Sequence, residues 1–335
     1  MTFRTPYDTW FPDAAFDGSY GFDLPALRAV SPVPPPDGFA ERWRGWHREA
    51  RAIPPTPEAL TEAHGHGRRV SVIAHTAADG TRLRAWVAEP RRTPARVGVV
   101  HGHGYGGREA PEFHRVPDDA WAIFPVARGL GALNRGVGGP EAAEEHVVAD
   151  LDDPDRAVLG LSARDLWTAA SALQEIAGDL PLYYVGESFG GGIGALALPW
   201  DERFVGATLV VPSFGQYDER LAVPCLGSGE AVRRAVARRP GLREDLRWLD
   251  ASTAATFLRI PVRVEAALWD QYVPPQGQFA VANAIERAGG DLDLVVLPAG
   301  HAEHPGLGRV VRDAIAGGRA HLDRVVPGER RSPRL

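Results

Sequence analysis

A serine between two glycines is the residue in this sequence best suited to act as a nucleophile. Ser188 lies in the segment Gly186-Glu187-Ser188-Phe189-Gly190, after the apolar stretch LYYV and before GGIGALAL, which predicts a helix. Glycines are needed around such a serine because side chains at a sharp strand-to-helix turn would collide with neighbouring elements. The segment therefore predicts a nucleophile elbow; the alternative is a glycine-rich turn that only permits close packing.

A serine hydroxyl is a weak nucleophile until a base removes its proton, so a histidine and an acid should accompany it. Asp270 ends the predicted strand VRVEAAL, and His301 follows the predicted strand LDLVVLPAG. The order serine, acid, histidine is the order in which hydrolases with such an elbow carry their catalytic triad. We predict that Ser188, Asp270 and His301 form the triad.

Other acids and bases near these positions are weaker candidates. Asp291 and Asp293 precede the last strand, which places them at the opposite edge of a parallel sheet. His304 comes shortly after His301 and is expected to be a surface histidine. Cys225 has no catalytic motif around it.

A glycine-rich loop, HGHGYGG at 101–107, follows another predicted strand and suits an oxyanion hole. Such a hole takes one backbone N–H from the residue after the nucleophile, here Phe189, and one from the loop, for which we predict Tyr105. The competing interpretation is a zinc site at His101 and His103, since two imidazoles at this spacing can bind one metal ion. The downstream sequence offers no motif that completes the ligand set, so we expect neither a metal nor another cofactor.

Strands and helices alternate along most of the chain, which predicts a doubly wound, mostly parallel sheet with helices on both faces. Ligands bind such sheets at the carboxyl ends of the strands, where the candidate residues lie. We divide the chain into an N-terminal arm packed on the core (1–60), the main domain (61–325) with an inserted helical segment at about 215–250, and a disordered tail (326–335). Besides the segments named above, we expect strands at Val70–His75, 83–90, Val97–Val100 and Ala122–Val126. The expected helices are Phe39–Arg51, 162–178, 276–288 and 307–323.

The composition is that of an ordinary globular protein, with 44% hydrophobic and 24% charged residues. All 37 basic residues are arginine, yet the net charge is −6, so neither nucleic acid nor a membrane surface is an expected partner. A single cysteine cannot form an intrachain disulfide, and the acidic, proline-containing N-terminus does not read as a signal peptide. We therefore expect a cytoplasmic protein.

Several segments, in the same order along the chain, resemble the motifs of carbohydrate esterase family seven, the acetyl xylan esterases and cephalosporin-C deacetylases of the α/β-hydrolase fold. The matching segments are HGYGG (103–107), RGLG (128–131), GESFGGGIGALA (186–197), LWDQYVPP (268–275) and GHAEH (300–304). The resemblance extends from about residue 22 to the last helix. It implies hydrolysis of short acyl esters, chiefly acetyl groups on sugars or on cephalosporin C, without a cofactor, by a homohexamer.

Three positions depart from the family pattern. Leu130 and Phe189 replace glutamines, and Ala302 replaces a glutamate. The oxyanion hole survives the change at Phe189 because only the backbone N–H is required. The rings of Phe189 and Tyr105 are expected to crowd the acyl side of the site and to restrict it to short acyl groups.

The function predicted from the sequence is a serine carboxylic-ester hydrolase acting on a small molecule through an acyl-enzyme on Ser188. The alternatives are a peptidase or an acyltransferase on the same fold. A non-catalytic binding protein on a hydrolase scaffold is a further alternative, since fold does not determine function.

Overall fold

In a computed structural model of the protein, residues 6–326 are described, and these contain nine strands that form one sheet in the order β1-β2-β3-β5-β4-β6-β7-β8-β9. The tail predicted at 326–335 lies outside the described residues from 327 onward. The strands are β1 (Glu58–Gly65), β2 (Arg68–Thr76), β3 (Arg82–Ala88), β4 (Val97–His101), β5 (Ala120–Pro125), β6 (Leu182–Glu187), β7 (Phe204–Val210), β8 (Val262–Ala267) and β9 (Leu292–Leu297).

The first three strands are antiparallel and the remaining six are parallel to one another. β1 pairs with β2, β2 with β3 and β3 with β5 in antiparallel fashion, and each later pair is parallel. The parallel strands are almost entirely buried apart from β9, and most of them are apolar along their length. The exception is β8, in which Arg263 and Glu265 are buried as well. Their carboxyl ends lie at one edge of the sheet, where β6 leads directly to Ser188.

Helices cover both faces of the sheet. Along β4, Val97 and Val99 belong to the apolar cluster that contains Leu322 of the last helix, whereas Val100 belongs to the larger cluster beneath the other helices. Successive side chains of a strand point to opposite faces, so the two clusters occupy opposite sides of the sheet.

The helices are α1 (Tyr7–Trp10), α2 (Leu24–Ala29), α3 (Phe39–Ala52), α4 (Gly131–Asn134), α5 (Ala143–His146), α6 (Val158–Ala177), α7 (Phe189–Ala197), α8 (Tyr217–Leu221), α9 (Gly227–Arg238), α10 (Leu242–Leu246), α11 (Ala251–Ala255), α12 (Pro275–Arg287) and α13 (Leu307–Val325). Two short 3₁₀ turns follow α7 and α10, at Leu198–Trp200 and Arg247–Leu249. Among the described residues, no helix combines the length and apolar character that a bilayer span requires.

The strands and helices predicted from the sequence pattern are found with small shifts at their ends. One strand, β1, was not predicted. β1 has no apolar alternation, and every residue in it except Gly65 is exposed, so the sequence carries no strand signal there. It pairs with β2 as an exposed edge strand, and residues 58–60, which we assigned to the arm, are therefore part of the sheet. The segment at 215–250 contains three short helices, α8, α9 and α10.

Candidate active site

The backbone at Ser188 has the strained geometry of a nucleophile elbow. Ser188 lies between β6 and α7 with φ 53° and ψ −110°, a conformation that non-glycine residues rarely adopt. A Cβ atom added to Gly186 would lie 2.5 Å from the carbonyl oxygen of Gly190, so the turn needs a glycine there for close approach. The serine hydroxyl is thus held at the carboxyl end of β6, facing a cleft.

The structure brings the three predicted side chains into one hydrogen-bonded chain. The Nε2 atom of His301 lies 2.9 Å from the Oγ atom of Ser188, and its Nδ1 atom lies 2.8 Å from Oδ2 of Asp270. Asp270 follows β8 and His301 follows β9, so all three residues come from the carboxyl ends of parallel strands. These distances are those of a nucleophile, its base and the group that orients the base.

Asp270 is completely buried and accepts a full set of hydrogen bonds. Its Oδ1 atom accepts from the backbone N–H groups of Tyr272 (2.9 Å) and Val273 (3.1 Å). Its Oδ2 atom accepts from Nε2 of Gln278 at 3.1 Å as well as from His301. The carboxylate is therefore fixed in the orientation that receives the imidazole N–H. Gln278 lies on α12 and was not among the predicted site residues, because no motif in the sequence marks it.

The charge state of His301 is set by opposing effects. Burial acts to lower the pKa of the imidazole, but the carboxylate of Asp270 outweighs it, with a smaller contribution from Glu187, and the pKa is raised from its ordinary value. The environment thus favours an imidazolium, which is the form a base reaches after it has taken a proton from serine.

The N-terminal arm supports the loop that carries Asp270. The backbone N–H of Asp270 donates to the carbonyl of Gly18 (2.9 Å), and the ring of Phe11 stacks on Trp269 with centroids 3.9 Å apart. Gln271 donates through Nε2 to the carbonyl of Phe16 at 2.6 Å. The arm is rich in aromatic residues, and this was the only sign in the sequence that it packs on the core. No pattern in the sequence indicated where on the core it would pack.

The predicted oxyanion donors have free backbone amides. Within residues 6–326, no acceptor is bonded to the N–H of Tyr105 or of Phe189. Phe189 opens α7, so its N–H lacks an intrahelical partner. The glycine-rich loop approaches the nucleophile closely, because a Cβ atom on Gly104 would lie 3.5 Å from the Cβ of Ser188. Two unsatisfied donors beside a serine are what a developing oxyanion requires.

The side chain of Phe189 does not contribute to the cleft as expected. Its ring is buried and packs against Tyr105, with centroids 4.5 Å apart, and against Phe214. Tyr105 lines the cleft, and its hydroxyl lies 3.3 Å from Nδ1 of His146. Of the two aromatic rings predicted to crowd the site, only Tyr105 is therefore in a position to do so, with Phe189 behind it.

The imidazoles considered for zinc are engaged in other bonds. His103 accepts the backbone N–H of Ala127 at Nε2 (3.0 Å) and donates from Nδ1 to the carbonyl of Gly104 (2.7 Å). Nδ1 of His101 accepts from the guanidinium of Arg108 at 2.7 Å. The part of the chain from 6 to 326 contains no group of three His, Cys, Asp or Glu side chains arranged to hold a metal ion.

The two acids that were weaker candidates lie away from the triad. Asp291 and Asp293 form ion pairs with Arg324 (2.8 Å) and Arg263 (2.6 Å) at the opposite edge of the sheet. The expectation that His304 is a surface histidine is wrong: it is 8% exposed and stacks on Trp10, with centroids 5.2 Å apart. The sequence did not show this contact because Trp10 comes from the distant arm.

Cys225 is also buried, and burial raises the pKa of its thiol. A thiol nucleophile requires the opposite, a lowered pKa.

Arg128, from the segment RGLG, is buried and structural. Its guanidinium bonds both carboxylate oxygens of Asp165 (2.7 and 2.8 Å) and one of Asp79 (2.8 Å). A planar fork of donors suits this pairing, which ties α6 to the turn between β2 and β3.

The cleft above Ser188 and His301 has a volume of about 500 Å³ and a lining of mixed polar and apolar character. Backbone of the glycine-rich loop and residues Glu112, His114, Glu144 and Glu187 contribute to it. A cleft of this size holds a small molecule. Together with the hydrogen-bonded serine and the free amides, it has the parts required for acyl transfer.

Comparison with known proteins adds evidence on the fold. No family model matches the chain, and no curated protein matches it by sequence. Among solved structures, acetyl xylan esterase 1 from Thermoanaerobacterium sp. JW/SL YS485 superposes with a TM-score of 0.76 at 21% identity, covering 90% of this chain and 99% of that one. An acetyl xylan esterase from Paenibacillus sp. R4 superposes with a TM-score of 0.74 at 18% identity, covering 88% and 99%.

A puromycin-hydrolysing peptidase of Mycobacterium tuberculosis is also similar, with a TM-score of 0.60 at 19% identity. The similarity covers 82% of this chain but 42% of the peptidase. Sequence identities this low support a shared fold but do not show a shared activity. The chain has the α/β-hydrolase fold, as the sequence predicted.

Proposed function

We propose that this protein is a serine carboxylic-ester hydrolase that removes short acyl groups, chiefly acetyl, from a small polar molecule. The observation that carries the proposal is the hydrogen-bonded chain from Ser188 through His301 to Asp270, which opens on a cleft beside two free backbone amides. The structural likeness to two acetyl xylan esterases supports the choice of an ester, and of an acetylated carbohydrate or similar molecule, as the substrate.

The geometry supports a two-step mechanism. His301 Nε2 accepts the proton of Ser188 as Oγ attacks the ester carbonyl, and the oxyanion formed accepts hydrogen bonds from the N–H groups of Tyr105 and Phe189. Collapse of this intermediate releases the alcohol, which takes the proton from His301, and leaves the acyl group on Ser188. Water then attacks the acyl-enzyme while His301 takes its proton. Collapse of the second tetrahedral intermediate breaks the bond to Oγ of Ser188 and releases the carboxylic acid, and His301 returns the proton to Oγ. Throughout, Asp270 keeps the imidazole in the required tautomer.

The direct test is covalent labelling with an organophosphonate that reacts with active-site serines. One group per chain should be attached, and peptide mapping should place it on Ser188, while the protein hydrolyses p-nitrophenyl acetate. Labelling at a different serine, with hydrolysis retained after Ser188→Ala, would refute the assignment.

A peptidase is the second candidate, since a puromycin-hydrolysing peptidase shares the fold over 82% of this chain. Amide and ester substrates with the same acyl group separate the two activities. Acetyl p-nitroanilide should be hydrolysed far more slowly than p-nitrophenyl acetate, because the anilide nitrogen is a poorer leaving group than the phenolate oxygen. Comparable rates on aminoacyl p-nitroanilides would favour the peptidase.

We expect the rate to fall steeply when the acyl group is longer than propionyl. The ring of Tyr105 lines the cleft and is backed by Phe189, so it has little room to move aside. A methylene that fits a pocket gains about 0.8 kcal/mol, whereas one forced into a filled space costs about 1–3 kcal/mol. In a series of p-nitrophenyl esters, kcat/KM for butyrate should be lower than for acetate by about tenfold or more.

Tyr105→Ala is the matched variant for this series. It keeps the backbone N–H and removes the ring, so the optimum should shift towards longer acyl groups. A maximum at butyrate or longer in the unaltered protein would contradict the prediction.

We expect Gly300→Ala to reduce kcat/KM by about 10²-fold, because displacing a catalytic group by about 1 Å can cost that much. A Cβ atom at Gly300 would overlap Oδ2 of Asp270, the atom that receives the imidazole N–H of His301. Gly308→Ala is the control: its added Cβ would meet nothing closer than 3.6 Å, at the flexible end of Arg312. Activity of Gly300→Ala within about twofold of the unaltered protein would show that the carboxylate position is not critical.

That the protein forms a homohexamer, and that it is located in the cytoplasm, remain predictions from the sequence.

A further inference from the structure

The cleft around Ser188 carries negative charges without partners. Glu187 and Glu144 line the cleft and are exposed, and neither carboxylate forms a hydrogen bond or an ion pair with any residue in the range 6–326. A third carboxylate, that of Glu112, accepts from Arg108 at 3.2 Å and is otherwise exposed. Because Arg108 offsets the charge of Glu112, the negative potential of the cleft at neutral pH comes from Glu187 and Glu144.

Apart from His301, whose partner is the carboxylate of Asp270, the basic residues that line the cleft do not offset the charge of Glu187 and Glu144. The guanidinium of Arg115 is bonded by both Nη atoms to the buried carboxylate of Glu265, at 3.1 and 2.7 Å. Burial lowers the pKa of His103 to about 4, that of His101 well below its ordinary value, and that of His114 in the same direction. All three imidazoles are therefore uncharged at neutral pH.

Glu187 lies next to the nucleophile, in the cleft that must hold the alcohol part of an ester. In the proposed reaction, the leaving oxygen takes its proton from Nε2 of His301, so the alcohol lies next to that imidazole. Glu187 directly precedes Ser188, whose Oγ atom lies 2.9 Å from that imidazole, and it lines the same cleft.

An exposed aromatic ring lies beside the same imidazole. Tyr272 lines the cleft, is 44% exposed, and its ring centroid lies 5.7 Å from that of His301. An exposed tyrosine face attracts cations through its quadrupole, and neutral groups gain much less from it. The cleft that holds the nucleophile thus combines an unpaired carboxylate with an exposed aromatic face beside His301.

We propose that Glu187 and Tyr272 form a binding site for a positively charged group on the alcohol part of the substrate. This inference rests on the proposed esterase function and narrows its substrate class to acetyl esters of alcohols that bear an ammonium group, for example O-acetylated amino sugars. The carboxylate supplies the attraction for the charge, and the ring covers the apolar carbons around the ammonium nitrogen. A neutral alcohol of the same shape gains only the contact with the ring.

Acetylcholine and 3,3-dimethylbutyl acetate test the proposal, because they differ in one charge and have nearly the same shape. We expect kcat/KM for acetylcholine to be higher by about tenfold, equivalent to about 1.4 kcal/mol. In Glu187→Gln the ratio should fall below about twofold, since the amide keeps the shape and loses the charge. In Tyr272→Leu the ratio should fall to an intermediate value.

Glu303→Gln is the matched control. Glu303 is exposed and close to His301 in the sequence but does not line the cleft, so its loss removes one negative charge without altering the proposed site. The ratio in this variant should equal that of the unaltered protein. A ratio near one in the unaltered protein, or a tenfold ratio that survives Glu187→Gln, would overturn the proposal.

A binding measurement separates this inference from the proposed function. Calorimetry of choline with Ser188→Ala requires no turnover, and affinity should drop by about tenfold when Glu187→Gln is added. If neither ester is hydrolysed but choline binding shows this drop, the esterase assignment fails and the cation site stands. If the neutral ester is hydrolysed and choline binding does not depend on Glu187, the cation site fails and the esterase assignment stands.

Discussion

Replacing Ser188 by alanine should lower kcat for a short acyl ester by about 10⁶-fold, which is the size of effect seen when the nucleophile of a serine hydrolase is removed. No other hydroxyl can carry the acyl group at this position, because Ser188 alone is held at the elbow with its Oγ atom 2.9 Å from Nε2 of His301. The free amides of Tyr105 and Phe189 remain in the variant, so a small residual rate above that of water is expected.

The fold should be unaffected by this substitution. Ser188 forms no side-chain hydrogen bond other than that to His301 within the described part of the chain, and alanine tolerates the same backbone conformation about as well as serine does. Near-ultraviolet circular dichroism and the melting temperature should therefore match those of the unaltered protein.

Ser228→Ala is the matched control for the hydrolysis assay, since Ser228 lines the same cleft but has no bond to His301. It should retain most of the activity. If Ser188→Ala kept more than about one part in 10³ of the original rate, a different nucleophile would have to be sought.

Replacing Asp270 by asparagine should lower kcat by about 10⁴-fold while the structure is retained. The new side chain would keep one oxygen for the N–H groups of Tyr272 and Val273, but its amide nitrogen cannot accept the hydrogen bond from His301 that Oδ2 now accepts. The imidazole would then favour the opposite tautomer, with its proton on Nε2, and could not accept the proton of the serine. The loss of negative charge also removes the main stabilisation of the imidazolium.

Asp293→Asn tests whether this effect is specific. Asp293 lies at the opposite edge of the sheet in an ion pair with Arg263, so its replacement should change kcat by less than about threefold. A larger loss in Asp293→Asn than in Asp270→Asn would show that the acid has been assigned to the wrong strand end.

The identity and order of the candidate catalytic residues could be predicted from the sequence because they depend on local signals. Ser188 and His301 each follow a short, largely apolar run, and Asp270 follows VRVEAAL, in which valine, alanine and leucine predominate; such segments predict buried parallel strands. The carboxyl ends of parallel strands lie at one edge of a sheet, so residues that are distant in sequence are brought to the same place. The fold could be predicted too, because the alternation of strands and helices is a local pattern along the sequence.

Features that depend on contacts between distant segments were decided only by the tertiary structure. The arm residue Gly18 bonds the backbone of Asp270, and Trp10 buries His304, but neither contact has a periodicity or motif that would reveal it. The strand β1 is held by pairing with its neighbour and not by burial of its own side chains, so no hydrophobic pattern marks it.

The directions of side chains around the nucleophile were also beyond the sequence. The residue after the serine was expected to crowd the cleft, but the sharp turn at Ser188 directs the ring of Phe189 into the core. The same turn leaves Glu187 exposed in the cleft, which is also lined by a histidine that follows a different strand. A motif specifies which residues are adjacent along the chain, whereas the side of the turn that each occupies depends on what packs against it, and that is a property of the folded protein.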